Sequence, residues 1–138
     1  MNARTMLRIA TGLTALHAVL HTVGGVLGKP SGPAQEATVA LMKATGYDAM
    51  RVSRSYWDFF FGYGLFVSIV FLAETVIFWQ LSSIVQTNGR LVRPIIATFC
   101  LCFIGTAIVS GVYFFFAPAT LQVLIAACLA VAYVKTDA

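Results

Sequence analysis

A chain of 138 residues, 59% of them hydrophobic and only 10% charged, cannot be solvated on all sides, since a soluble domain carries charge on about a quarter of its residues. Its length fits one small domain and excludes separate soluble modules. The net charge of +4 is scattered over loop ends without a basic block, which suits anionic lipid headgroups and excludes nucleic acid as a partner.

In chain order, the first apolar run extends from about Met6 to Leu27 and is long enough to cross a bilayer. Arg4 and Arg8 ahead of it are also features of a signal peptide. His17 and His21 interrupt the apolar stretch, however, and the run reads as a first transmembrane helix. Next comes GKPSGPAQEATVALMKATGYD, with Ser31 as a cap, Pro33 at an early helical position, Glu36 in the first turn and Gly46 as a stop. Val39, Leu41 and Met42 give it one short apolar side, so residues 32–46 are expected to form an amphipathic helix. It would lie on the membrane surface or over the mouth of the bundle.

The second span is expected over 56–84, longer than the roughly 20 residues a bilayer needs, so it tilts or protrudes. QTNGR makes a polar turn broken at Asn88-Gly89. A third span follows from Pro94 to Phe116, and a fourth, after the short Ala117-Pro118 connection, over 119–134. The expected fold is all-α: an integral membrane four-helix bundle, one domain over residues 1–138. Arg4, Arg8, Arg90, Arg93 and Lys135 fall on one side, and Lys29, Lys43, Arg51 and Arg54 on the other. That balance of five against four places both termini in the cytoplasm, in a bacterial inner membrane. Cys100, Cys102 and Cys128 sit inside apolar runs and read as small buried hydrophobes.

Ionisable residues inside a span are costly and need a partner or a role. Helical rise puts His21 roughly 9 Å and His17 roughly 15 Å below the outer end of the first span. Asp58 opens the second span, and counted in from Tyr56 the rise puts Tyr63 about 10 Å and Glu74 about 27 Å down. Two layers are therefore expected, an outer one with His17, His21, Asp58 and Tyr63 and an inner one with Arg8 and Glu74, where Glu74 pairs with Arg8 or snorkels to the inner interface. Asp58 and Glu74 are sixteen residues apart, nearly opposite on a straight helix at about 100° per residue. One straight helix pair cannot form both contacts.

In HAVLH, His17 and His21 share a face at the spacing that chelates a metal, with Asp58 as a third ligand, but no glutamate follows the first histidine as in zincins. The pair reads first as hydrogen-bonding that ties helices together, and after that as a proton-handling or ligand-contacting site. In RSYWD, Tyr56 and Trp57 with Arg51 and Arg54 form an interfacial collar, while Asp58 caps the helix, pairs with Arg54 or meets His21. Gly62 and Gly64 within FFFGYGLF favour close helix approach, as do Gly24 and Gly28.

The combination of HAVLHTVGG with RSYWDFFFGYG resembles small bacterial four-span membrane proteins of unknown function. In layout the chain is also similar to the sterol-isomerase and sigma-2-receptor group, whose members set acids and histidines in a ligand cavity within four spans. That resemblance implies polar cavity positions at His17, His21, Asp58 and Glu74.

These readings combine into an expected outer-leaflet site for an apolar or amphipathic small molecule. His17, His21 and Asp58 would supply acid/base chemistry of an isomerase or hydratase kind, and Arg54, Tyr56, Trp57, Tyr63 and Glu74 would contact the ligand. No cofactor and no metal is named by any motif. The contrasting expectation is a non-catalytic structural or interaction subunit, partnered by membrane lipids and by a second copy or a larger membrane complex.

Overall fold

The computed structural model describes residues 2–136. The elements run α1 (Ala3–Leu20), a π-helical turn (His21–Val26), α2 (Pro33–Ala44), β1 (Gly46–Ala49), β2 (Val52–Ser55), α3 (Tyr56–Ile84), α4 (Gly89–Tyr113) and α5 (Phe116–Lys135). Four helical stretches are long and apolar enough to cross a membrane: Ala3–Val26, Tyr56–Ile84, Gly89–Tyr113 and Phe116–Lys135. The chain divides into two compact units, Met1–Ala18 with Phe71–Ala138, and Val19–Val70.

The first unit packs the start of α1, the end of α3, and α4 and α5 around one core. On α1 the buried residues Ala3, Met6, Leu7, Ala10, Thr14 and His17 recur at intervals of three and four, one stripe of a helix. Val92, Ile96, Phe103 and Ala107 do the same on α4, and Ile125, Leu129 and Ala132 on α5. Phe78 is completely buried among them. It meets Phe99 edge-on at 5.1 Å and Phe103 at 5.9 Å. The opposite faces are just as apolar, with Ile108, Val112 and Val134 exposed. A helix apolar all round is made for hydrocarbon rather than water.

The α4 helix begins at Gly89, five residues before the expected Pro94. The Leu91 and Val92 amides both donate to the Asn88 carbonyl, so the first turn closes ahead of the proline. Pro94 lacks only the one N–H that would have met the Arg90 carbonyl, a loss the start of a helix tolerates.

In the second unit α2 occupies almost the expected stretch but is entered differently. Its N-cap is Gly32, at φ +136°, a backbone conformation that L side chains rarely adopt. Ser31 turns back instead, its N–H and hydroxyl both reaching the Gln35 side-chain oxygen. No residue of α2 is buried.

Between α2 and α3 lies a feature the sequence reading did not include, an antiparallel hairpin pairing Gly46 with Ser55 and Ala49 with Val52. Its turn residues Met50 (φ 50°) and Arg51 (φ 67°) both adopt the left-handed region. Two-residue hairpin turns require that geometry but normally fill it with Asn or Gly. The hairpin is held at its base, where the Tyr56 amide donates to the Thr45 carbonyl and the Tyr47 and Tyr56 rings lie 5.5 Å apart.

Candidate functional site

The polar residues of the second unit are bound mostly to their own neighbours. Ser55 and Asp58 form a reciprocal cap at the start of α3. The Asp58 carboxylate accepts from the Ser55 amide and hydroxyl, both at 2.9 Å, and the Ser55 hydroxyl accepts from the Asp58 amide at 3.1 Å. This is the capping-box arrangement, which satisfies two amides that a helix start leaves over. Of the three roles open to Asp58 in the sequence, the structure places it in the first.

Replacing Ser55 by alanine is expected to cost about 1 kcal/mol at the start of α3. Amide hydrogen exchange over residues 55–60 should quicken in both Ser55→Ala and Asp58→Ala, while Asp58→Asn, which keeps an acceptor oxygen, stays near wild type. Equal loss of protection in Asp58→Asn and Asp58→Ala would show that the charge rather than the cap matters.

The collar residues divide between the hairpin and the helix. Arg54 stands exposed on β2 and donates to the Ser53 carbonyl at 2.8 Å. Tyr56 is half exposed against Tyr47. Trp57 lies under the Lys43 ammonium of α2, 5.1 Å from ring centroid, a cation–π contact joining the amphipathic helix to α3. Tyr63 stacks between Phe59 and Phe66 on an exposed aromatic stripe, which turns it outward.

His21 opens the π-helical turn and places Nε2 3.1 Å from the Gly64 carbonyl oxygen, a bond in which the ring N–H donates. Thr22 donates to Ser68 at 2.8 Å, and Ser68 donates to the same Gly64 carbonyl at 3.1 Å. A side-chain carbon added at Gly64 would come within 2.9 Å of Val26 Cγ2. Gly64 is therefore where the turn and α3 meet closely, whereas Gly62 and Gly24 have nothing within 4 Å.

The remaining polar groups belong to the first unit. His17 is buried and its ring stacks on Phe71 at 4.2 Å. Arg8 does not pair with Glu74. Its Nε donates to Ser82 at 2.6 Å and its guanidinium lies 3.4 Å from the Trp79 ring centroid. The contacts 8 to 82 and 17 to 71 run α1 and α3 antiparallel, and between them Glu74 falls level with Thr14. Depth counted from Tyr56 had set Arg8 level with Glu74, but Arg8 reaches α3 two turns further along.

Glu74 is half-buried, and its Oε2 is buried without a hydrogen-bond partner among the described residues. Thr14 turns its hydroxyl to the Ala10 carbonyl. Higher in the same unit the buried Ser110 hydroxyl donates to Gln122 at 2.9 Å. Of the expected site residues, His17 and Glu74 thus share one unit, Glu74 standing one turn beyond the Phe71 that carries His17. His21, Asp58, Arg54, Tyr56, Trp57 and Tyr63 lie in the other. Among the described residues no three His, Cys, Asp or Glu side chains gather closely enough to hold a metal ion.

Sequence reasoning passed over one further group. Arg90, Arg93, Pro94 and Ala97 of α4 line a shallow cleft of ≈ 590 Å³ with Tyr133 of α5. The Arg93 guanidinium sits 4.5 Å from the Tyr133 ring centroid. The signal was available in the spacing of the two arginines and the proline at the head of a span. The chain matches no protein-family model, no curated protein and no solved structure.

Proposed function

We propose that this is an integral membrane protein that holds an apolar or amphipathic molecule bearing a hydrogen-bond donor, with Glu74 as the acceptor. Its setting is read as a bacterial cytoplasmic membrane with both termini cytoplasmic, from the five-to-four distribution of basic residues. The observation that carries the reading is the buried Glu74 oxygen, which no described residue satisfies. Buried polar atoms are nearly always hydrogen-bonded, and an acid inside a span marks a binding or transport position by default.

The side chain is only half-buried, so a guest dissolved in the bilayer reaches it sideways without opening the unit. His17 stacked on Phe71 forms a flat wall one turn away. The site so proposed is distinct from Asp58, whose carboxylate is already engaged in capping.

The test uses the purified protein in lipid nanodiscs with hexadecanol, hexadecylamine or hexadecane added. The first two are expected to raise the melting temperature of the wild type by several degrees, as any ligand of the folded state does, and hexadecane is not. Glu74→Leu should abolish both responses while melting higher than the wild type without additive, since it removes an unsatisfied buried group. Glu74→Gln keeps an acceptor oxygen and should retain the hexadecanol response. If wild type and Glu74→Leu respond alike to all three compounds, the reading is wrong.

A further inference from the structure

At the opposite end of the first unit from His17, α3 stops, α4 starts and α5 stops. Arg90, Arg93, Pro94 and Ala97 recur there at intervals of three, one and three, one face of the first turns of α4. With Tyr133 from the last turn of α5 they enclose the cleft of ≈ 590 Å³. We infer that this cleft binds the phosphate of an anionic phospholipid, with Arg90 and Arg93 on the headgroup and Pro94 and Ala97 against its acyl chain.

Three observations support this. First, the Arg93 Nε is buried and finds no acceptor among the described residues. A guanidinium offers five donors in a rigid planar fork matched to phosphate oxygens. The Tyr133 ring holds that plane at 4.5 Å by cation–π contact, so the guanidinium is positioned while its Nε–H meets no described acceptor.

Second, among the described residues of the first unit no acid stands beside the cleft. Of the five acidic residues, Glu36, Asp48 and Asp58 belong to the second unit, and Asp137 lies outside the described residues. Glu74 lies ten residues before Ile84, where α3 stops, about 15 Å along the helix. The N-terminus of a 25-residue helix adds its own positive end beside the arginines.

Third, the cleft is two-faced. Cations sit at the end of the span, and the floor formed by Pro94 and Ala97 is apolar. Inorganic phosphate would use only the cations, whereas a phospholipid standing at the membrane surface uses both.

The test is native mass spectrometry of the delipidated full chain in detergent. Palmitoyl-oleoyl phosphatidylglycerol and the matching phosphatidylcholine are offered at equal concentration. The wild type should retain the phosphatidylglycerol several-fold more strongly, and Arg90→Gln/Arg93→Gln should hold the two lipids equally. Ala97→Trp fills the cleft and keeps both charges, so it should lose the preference while its fold is retained, which guards against misfolding of the double variant. Arg51→Gln/Arg54→Gln removes as much charge from the hairpin and should leave the preference intact. Displacement of phosphatidylglycerol by millimolar inorganic phosphate would identify the free ion as the ligand and overturn the lipid assignment. An unchanged preference in both cleft variants would overturn the site.

Discussion

Phe78→Ala should be among the most destabilising single substitutions in the first unit, at about 3 kcal/mol, the lower end of the range for deleting a buried phenyl ring. The lower end applies because hydrocarbon around a span is as apolar as the core, so the lost packing counts and the transfer from water does not. Phe78 is completely buried, with Phe99 edge-on at 5.1 Å and Phe103 tilted at 5.9 Å. Alanine there removes the ring against which two others are oriented, and neither can swing across without leaving its own helix face. Phe78→Leu retains most of the volume and should cost less than about 1.5 kcal/mol.

A thiol-reactive dye followed during heating reads this directly. Cys100 and Cys128 are packed against the core around Phe78, whereas Cys102 is exposed. In a Cys102→Ser background, which removes the thiol on the outer face of the span, the rise in labelling marks opening of the unit. That rise should move to lower temperature in Phe78→Ala and only slightly in Phe78→Leu. Equal midpoints for Phe78→Ala and wild type would mean that the phenyl cluster does not hold α3 to α4.

The four helices long and apolar enough to cross a membrane were legible because a long apolar run has few other uses, and their ends were less so. The rule that proline belongs in a first turn points to Pro94 as the start of the third span. The structure starts α4 at Gly89 because Asn88 closes a turn earlier. The hairpin was invisible for a physical reason. Its turn is Met50-Arg51, with neither residue of the kind that tolerates positive φ, so the local signal argues against what the pairing of Tyr47 with Arg54 imposes.

The candidate site was half legible. Sixteen residues separate Asp58 from Glu74, and the conflict this creates on one straight helix was apparent beforehand. The structure relieves it by assigning Asp58 to Ser55 and giving Arg8 to Ser82 and Trp79. The Ser55-x-x-Asp58 spacing was there to be read as a cap. Nothing in the sequence announced that Arg8 would choose an indole face and a serine over a carboxylate, since that depends on how far α3 slides along α1.

The sharpest test in the second unit compares two glycines two residues apart. At Gly64 an added Cβ would lie 2.9 Å from Val26 Cγ2, closer than real side chains approach, while at Gly62 nothing stands within 4 Å. Gly64→Val should therefore force α3 away from the π-helical turn, at a cost of about 1–3 kcal/mol from overpacking. Gly62→Ala should be neutral or stabilising by up to about 1 kcal/mol, the ordinary gain of alanine over glycine in a helix. The larger cost at Gly64 reflects what its carbonyl does. It accepts from both His21 and Ser68, and Ser68 in turn accepts from Thr22. A shift that relieves Val26 stretches all three bonds together.

Trp57 reports this unit and Trp79 the other, so the comparison belongs in a Trp79→Phe background with melting followed by Trp57 fluorescence. Gly64→Val should melt earlier, with faster amide exchange over residues 21–26, and Gly64→Ala should be restored by Val26→Ala, which vacates the colliding methyls. Intact protection over residues 21–26 in Gly64→Val would show that the turn is anchored elsewhere, and that the His21 bond to Gly64 follows from the close approach without maintaining it.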